Sequence, residues 1–163
     1  MTTGLNKMKT LWNALALFML LLGCAACEDD ETAASFPEVT AATLNGTWQL
    51  VEFDGHSLNA ETYCYLHLIR RDRTFEMYSN LQTGYADLTT GSFEIEQDPY
   101  LGAVISGDYA FGNGKWNHEY IVSELTADGK MVWVNKDDAS QVQVFRRCER
   151  VPQEIVDAAR PVE

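Results

Sequence analysis

Short strands separated by turns fill the chain between residues 44 and 150, and they constrain its fold more than any other feature. Within these stretches β-branched and aromatic residues are mixed with polar ones, as in strands that bury one face. Turn sequences such as Asp54-Gly55, Asp98-Pro99 and Gly112-Asn113-Gly114 separate them. Eight strands are predicted, within residues 46–53, 62–69, 74–78, 86–97, 103–111, 118–126, 131–134 and 141–146.

The short connections decide how these strands pair. Strands joined by short loops become antiparallel neighbours. An open sheet would expose two unpaired edges, and closure removes them. Eight strands close around an interior that is filled by side chains or holds one small ligand. We therefore predict an all-β domain over residues 43–150, an eight-stranded antiparallel up-and-down barrel, with an open sheet or two-sheet sandwich as the alternative. Gly107 is expected to mark a bulge or bend.

The pattern changes after residue 150. Pro152 is typical of the first turn of a helix, and Ile155, Val156 and Ala159 share one helical face. The sequence predicts a short C-terminal helix and tail over residues 151–163, packed on the barrel through that face.

Residues 1–23 predict the signal peptide of a lipoprotein. Lys7 and Lys9 precede an apolar run of about a dozen residues, whereas a membrane-spanning helix needs about 20. The run ends in Leu21-Leu22-Gly23-Cys24, which resembles the bacterial lipobox, where cleavage precedes a cysteine that then carries lipid.

Cys24 is the favoured lipidation site, and Cys27 is the alternative. Cys27 follows two alanines and precedes the acidic run 28–31, which resembles the surface-export signal of Bacteroidota lipoproteins. Residues 24–42 are acidic, small and contain proline, so we expect a flexible tether. We therefore expect the lipid to anchor the protein to the outer membrane of the cell envelope. The sequence does not decide whether the protein faces the cell surface.

The charge of the chain excludes one class of partner. The formal net charge is −12, and removing the two lysines of residues 1–23 leaves −14. A surface this acidic repels phosphate backbones, which argues against nucleic-acid binding.

Gly46-x-Trp48 on the first strand, with Arg146 or Arg147 ending the last, resembles the lipocalin signature. In that family the tryptophan closes the base of the barrel and a basic side chain packs across it, a favourable cation–π arrangement. Together with eight strands and a lipobox, the chain resembles the lipocalin-like lipoproteins of Bacteroidota, many of which have no assigned function. The resemblance implies that Trp48, Arg146 and Arg147 are structural.

Aromatic residues on the predicted strands are candidates for lining a small apolar pocket. If they instead fill the interior, the barrel is solid. Trp116, in a loop, is a candidate rim residue for a sugar or a partner protein, or an ordinary loop aromatic. The candidate lining residues are Tyr63, Tyr65, Phe75, Tyr109, Phe111, Tyr120 and Trp133.

Cys64 and Cys148 are the cysteines of the barrel region. They either form a disulfide, which an oxidising compartment permits, or are small buried hydrophobic side chains. His56, His67 and His118 are too widely spaced for zinc-ligand spacing, so no metal or cofactor is predicted.

The acidic side chains and the missing motifs indicate a protein that is not an enzyme. Glu94 and Glu96 alternate with apolar neighbours and are expected on a solvated outer face. No nucleophile elbow or phosphate-binding loop is present. We expect a membrane-tethered protein that binds a small apolar or amphipathic molecule. The alternative is a solid barrel that acts as a structural or protein-interaction module of the envelope.

Overall fold

The structure is a computed structural model that describes residues 36–162. Those residues form two short α-helices, one 3-10 turn and ten β-strands. The helices are α1 (Ala41–Leu44) and α2 (Gln153–Ala158), and the 3-10 turn is Ala110–Gly112. The strands are β1 (Gly46–Phe53), β2 (His56–Ser57), β3 (Cys64–Ile69), β4 (Thr74–Ser79), β5 (Asp87–Asp98), β6 (Gly102–Tyr109), β7 (Tyr120–Leu125), β8 (Lys130–Asn135), β9 (Val142–Cys148) and β10 (Arg160–Pro161).

Eight of the strands close into a barrel, which confirms the predicted fold class. The order is β1, β3, β4, β5, β6, β7, β8 and β9, and β9 pairs back onto β1. Every one of these pairings is antiparallel. Two short strands lie outside the barrel: β2 folds back on the end of β1, and β10 runs parallel to the start of β5.

The fifth barrel strand differs from the prediction at its end. β6 stops at Tyr109, and Phe111 adopts a left-handed conformation with φ 61° in the 3-10 turn that follows. Gly107 does not mark a bulge, since it pairs in register with Phe93. The register shifts lie elsewhere, at Val51 in β1 and at Ser123 in β7.

One end of the barrel, here called the base, is packed solid. α1 closes it with Leu44, which is fully buried, and the Thr40 and Thr43 side chains cap the helix reciprocally. Residues 40–42 of the expected tether thus belong to the folded domain. The largest buried apolar side chains of this core are Trp48, Phe75, Phe93, Leu68, Ile105 and Met131.

The opposite end, here called the mouth, is formed by four connections. β1 starts next to α1 at the base, so its last residue, Phe53, lies at the mouth, and the antiparallel order fixes the rest. The mouth connections are residues 54–63, 80–86, 110–119 and 136–141. Because the base is sealed and the loops gather at the mouth, any binding site within the barrel opens there.

The C-terminal helix packs on the outside of the barrel, as predicted. Ile155, Val156 and Ala159 contact an outer apolar cluster that contains Tyr65 and Tyr78. α2 begins directly after Pro152. The helix therefore covers outward-facing tyrosines of β3 and β4.

The lipoprotein predictions lie outside the described residues. Those predictions are the signal peptide 1–23, the lipidation at Cys24 or Cys27 and most of the tether. Among residues 36–162 no helix has the length and apolar character needed to cross a membrane.

Candidate ligand-binding site

Trp48 and Arg147 seal the base of the barrel. The Trp48 indole is fully buried, and its Nε1 donates a hydrogen bond to the Leu44 carbonyl at 2.8 Å. The Arg147 guanidinium lies over the indole, with Cζ 4.2 Å from the ring centroid. Its Nη1 and Nη2 donate to the carbonyls of Asn45 (2.7 Å) and Thr43 (2.8 Å). The Arg147 guanidinium thus connects α1 with the first and last strands of the barrel, β1 and β9.

Of the two candidate arginines, only Arg147 packs on Trp48. Arg147 is directly opposite Trp48 across the β1–β9 pair, whereas the Arg146 side chain is exposed and reaches Asp128 at 3.4 Å. Gly46 makes room for this arrangement. It has φ +121°, and a Cβ there would lie 2.8 Å from Arg147 Nη1. The Gly-x-Trp spacing is therefore explained by the arginine that lies beside the glycine.

A cavity of about 350 Å³, here called the inner cup, lies between the solid base and the mouth. Its walls are mainly apolar and aromatic, and its polar groups gather at the mouth. Within the part of the chain that the structure describes, no Asp, Glu, Lys or Arg lines it. The lining residues are Leu50, Phe53, Cys64, Leu66, Met77, Ser79, Leu81, Gln82, Tyr109, Trp116, Asn117, His118, Tyr120, Trp133, Gln141, Gln143 and Phe145.

A second cavity of about 350 Å³, here called the side cleft, adjoins the inner cup and shares Met77, Ser79, Gln82, Tyr109 and Asn117 with it. It exists because the barrel wall is incomplete near the mouth. The pairing of β5 with β6 stops at Gly91 and Tyr109, whereas β5 itself extends further towards the mouth, to Asp87. The side cleft also reaches Thr89, Asn113 and Val162.

Trp116 lies inside the barrel wall, although its position in a loop suggested the rim. Its backbone N–H donates to the Gly107 carbonyl at 2.8 Å, and a Cβ on Gly107 would lie 2.4 Å from the indole. The ring centroid is 5.2 Å from Phe75 and 5.8 Å from Trp133. The inward-facing glycine was the one sequence signal for this packing.

Three of the predicted lining residues do line the inner cup. Trp133 stacks on Tyr120 at 5.4 Å and contacts Phe145 at 4.9 Å. Tyr109 lines both the inner cup and the side cleft. Phe75 lies beneath them in the core, 1% exposed and 6.1 Å from Tyr109.

Tyr63, Tyr65 and Phe111, three of the candidate lining residues, do not line the inner cup. Tyr65 points outward between Cys64 and Leu66, which face the interior, and Tyr63 packs beside it in the outer cluster under α2. Because side chains alternate along a strand, an assignment shifted by one residue reverses the face. Phe111 is 73% exposed, since the strand ends before it.

The sequence reading missed the amides of the mouth. Gln82, Asn117, Gln141 and Gln143 come from three loops and one strand, and only the closed barrel brings them together. They are neutral hydrogen-bonding groups placed above apolar walls.

Burial favours the neutral forms of one thiol and two phenols in the lining. Burial raises the pKa of the Cys64 thiol to about 12, against a weaker opposing effect from a hydrogen bond with Ser79. Burial likewise raises the pKa of Tyr109 and of Tyr120. The cup therefore offers hydroxyl and thiol groups but no tyrosinate or thiolate near neutral pH.

The disulfide between Cys64 and Cys148 is not formed, and both thiols are free. Cys64 faces the interior, whereas Cys148 packs in the outer cluster with Tyr65 and Tyr78. The two side chains lie on opposite faces of the barrel wall, with β1 between their strands.

Glu94, Glu96 and His67 lie on the outer surface. Glu94 and Glu96 are exposed beside the buried Phe93, as predicted. His67 lies 3.6 Å from Glu76 across the β3–β4 pair. No group of three or more His, Cys, Asp and Glu side chains that could hold a metal ion occurs in the described part of the chain.

Comparison with protein-family models, with curated proteins and with solved structures finds no match for this chain. The closed eight-stranded antiparallel barrel is consistent with a lipocalin-like fold.

Proposed function

We propose that the protein is a lipid-tethered, lipocalin-like binding protein that takes a small apolar or amphipathic molecule into the inner cup. The observation that carries the proposal is the cavity of about 350 Å³ above a solid base. Pockets for small molecules have volumes of about 300–1,000 Å³, with apolar walls and a few placed polar groups. Trp133, Phe145 and Leu66 supply the walls, and Gln141 and Gln143 supply polar groups.

The chemistry of the cup favours binding over catalysis. Cys64 and His118 both line it, a combination that elsewhere serves nucleophilic catalysis. The thiolate is the reactive form of cysteine, however, and the pKa of Cys64 is about 12. We therefore propose a protein that holds its ligand without transforming it.

The tether is proposed from the lipobox-like sequence that ends at Cys24. Each buried methylene of an acyl chain contributes about 0.8 kcal/mol, so a multiply acylated cysteine holds a protein on a membrane. Mass spectrometry of the mature N-terminus tests this. Acylation at Cys24 or Cys27 is expected, and an unacylated product would contradict the tether.

Titration with N-phenyl-1-naphthylamine, an uncharged fluorescent probe, tests the cup. We expect saturable binding with a blue-shifted emission as the probe leaves water. Met77→Trp fills the cup and should abolish binding. The matched control Glu76→Trp places the same ring on the outer face of the same strand and should bind as the wild type does. Absence of saturable binding, or equal binding by both variants, would refute the proposal.

The alternative function is a protein-interaction module of the cell envelope. It is favoured by large apolar side chains that stay exposed, namely Tyr100 (94%), Phe111 (73%) and Tyr85 (63%). A photo-crosslinking amino acid at position 100 in cells, with one at the exposed position 94 as the control, tests it. One protein captured reproducibly from position 100 alone supports the module, and identical background from both positions argues against it.

A further inference from the structure

Trp133 carries a buried polar atom that has no hydrogen-bond partner among residues 36–162. The side chain is 3% exposed, and its Nε1 makes no hydrogen bond within the described chain. A buried donor without an acceptor is unfavourable, because it has lost its hydrogen bond to water and gained none in return. The contrast with Trp48 is direct, since its buried Nε1 donates to the Leu44 carbonyl. Trp133 also forms part of the wall of the inner cup.

Three aromatic rings surround Trp133, and one of them comes from a loop. Tyr120 and Phe145 belong to barrel strands, whereas Trp116 belongs to the connection between β6 and β7. Trp116 is only partly buried. Of the rings that cover Trp133, Trp116 is therefore the one that can move without breaking the sheet.

The surroundings of Trp116 leave space for that movement. The segment Trp116–His118 lines the inner cup on one side and a polar groove of about 390 Å³ on the other. The wall is weakest here, because β6 and β7 pair only at Val104–Ile121 and Ile105–Tyr120. The loop that carries Trp116 is held to β6 by two backbone hydrogen bonds, from Tyr109 N to Gly114 O at 2.7 Å and from Trp116 N to Gly107 O at 2.8 Å.

The lining of the inner cup favours an uncharged ligand. The polar groups that residues 36–162 contribute to it are amides, hydroxyls, a thiol, indole N–H groups and one imidazole, with no carboxylate, ammonium or guanidinium among them. An ionised ligand would lose its hydration without gaining a countercharge. Flat aromatic walls favour a flat ligand, because stacked rings keep their preferred offset geometry.

We propose that the inner cup binds an uncharged planar molecule that carries a hydrogen-bond acceptor, and that this molecule displaces the Trp116 indole and accepts the hydrogen bond from Trp133 Nε1. The inference rests on the proposed binding function and adds the chemical class of the ligand and the residue that moves.

Two probes with the same three-ring framework test the acceptor. 9-Fluorenone carries one carbonyl oxygen, and fluorene carries none. In ¹⁵N-labelled full-length protein, the indole N–H resonance of Trp133 is assigned with Trp133→Phe. It should shift downfield on addition of 9-fluorenone and not on addition of fluorene. The Trp48 indole, already bonded to Leu44, should stay unchanged with both probes.

Affinities give a second readout. Trp133→Phe removes stacking area for both probes, so the ratio of their affinities isolates the hydrogen bond: the preference for 9-fluorenone over fluorene should fall about 3- to 10-fold, the worth of one hydrogen bond. If N-phenyl-1-naphthylamine binds while that ratio is the same in wild type and in Trp133→Phe, the inference is overturned and the binding function stands. If no probe binds at all, both fall.

The displacement of Trp116 has its own test. Trp116→Ala removes the ring that must move, so the affinity for 9-fluorenone should rise. Loss of 9-fluorenone binding in a folded Trp116→Ala variant would show that the indole is a permanent wall and would overturn the displacement.

Discussion

Replacing Trp48 with alanine should remove a large part of the stability of the domain. The indole is fully buried in the base, and Trp→Ala substitutions at such sites cost about 3–5 kcal/mol. That loss includes the hydrogen bond to Leu44, worth about 1 kcal/mol. Because native domains are stable by about 5–15 kcal/mol, a loss of this size is a large fraction of the total free energy of unfolding.

The contact with Arg147 can be separated from the rest of that loss. The guanidinium is exposed to solvent, so its cation–π contact with Trp48 should contribute about 0.5–1 kcal/mol. A double-mutant cycle with Trp48→Leu and Arg147→Met isolates this coupling.

Urea denaturation followed by far-UV circular dichroism is the assay, since it does not depend on tryptophan emission. Trp116→Ala is the matched control, because that ring is only partly buried and its loss should cost less. A loss below about 1 kcal/mol for Trp48→Ala, or a larger loss for Trp116→Ala, would refute a sealed base.

Three further predictions concern Gly46 and the two thiols. Gly46→Ala should destabilise by about 1–3 kcal/mol in urea, since φ is +121° and the new methyl meets Arg147; unchanged stability would show that the arginine moves freely. The pKa of the Cys64 thiol is higher in the folded than in the unfolded protein. The stability that the neutral thiol contributes is therefore complete below pH 9 and is lost as pH rises towards 12. At about pH 10.5 wild type should have lost about 2 kcal/mol through this thiol. Cys64→Ala should lack that loss, and parallel pH profiles would contradict it. Mass analysis without reductant should find Cys64 and Cys148 unpaired, whereas a mass lower by two hydrogens would indicate a disulfide.

The barrel could be predicted because the sequence features that indicate it are local. Turn residues at regular spacing and eight alternating stretches imply antiparallel neighbours, and closure follows from the cost of open edges. The resemblance of Gly46-x-Trp48 and a basic residue of the last strand to the lipocalin signature predicted the base, although only the register of β1 on β9 selects Arg147 over Arg146.

The site was less predictable, because it depends on which face each side chain takes. The sequence around Tyr63 and Tyr65 is aromatic at alternate positions, but Cys64 and Leu66 are apolar as well, so the sequence gives both faces of β3 residues suited to burial. The outer face is buried only because α2 returns to cover it. Trp116 packs on Gly107, nine residues earlier, and the sequence alone does not show that this glycine faces inward.

Methionine methyl NMR gives the most direct test of a hollow mouth above a solid base. Residues 36–162 contain two methionines: Met77 lines the inner cup, and Met131 is fully buried in the base. On titration of ¹³C-methyl-labelled protein with N-phenyl-1-naphthylamine, the Met77 methyl resonance should shift with saturation and the Met131 resonance should stay in place. A probe that binds without moving Met77, or that moves Met131 equally, would contradict the account.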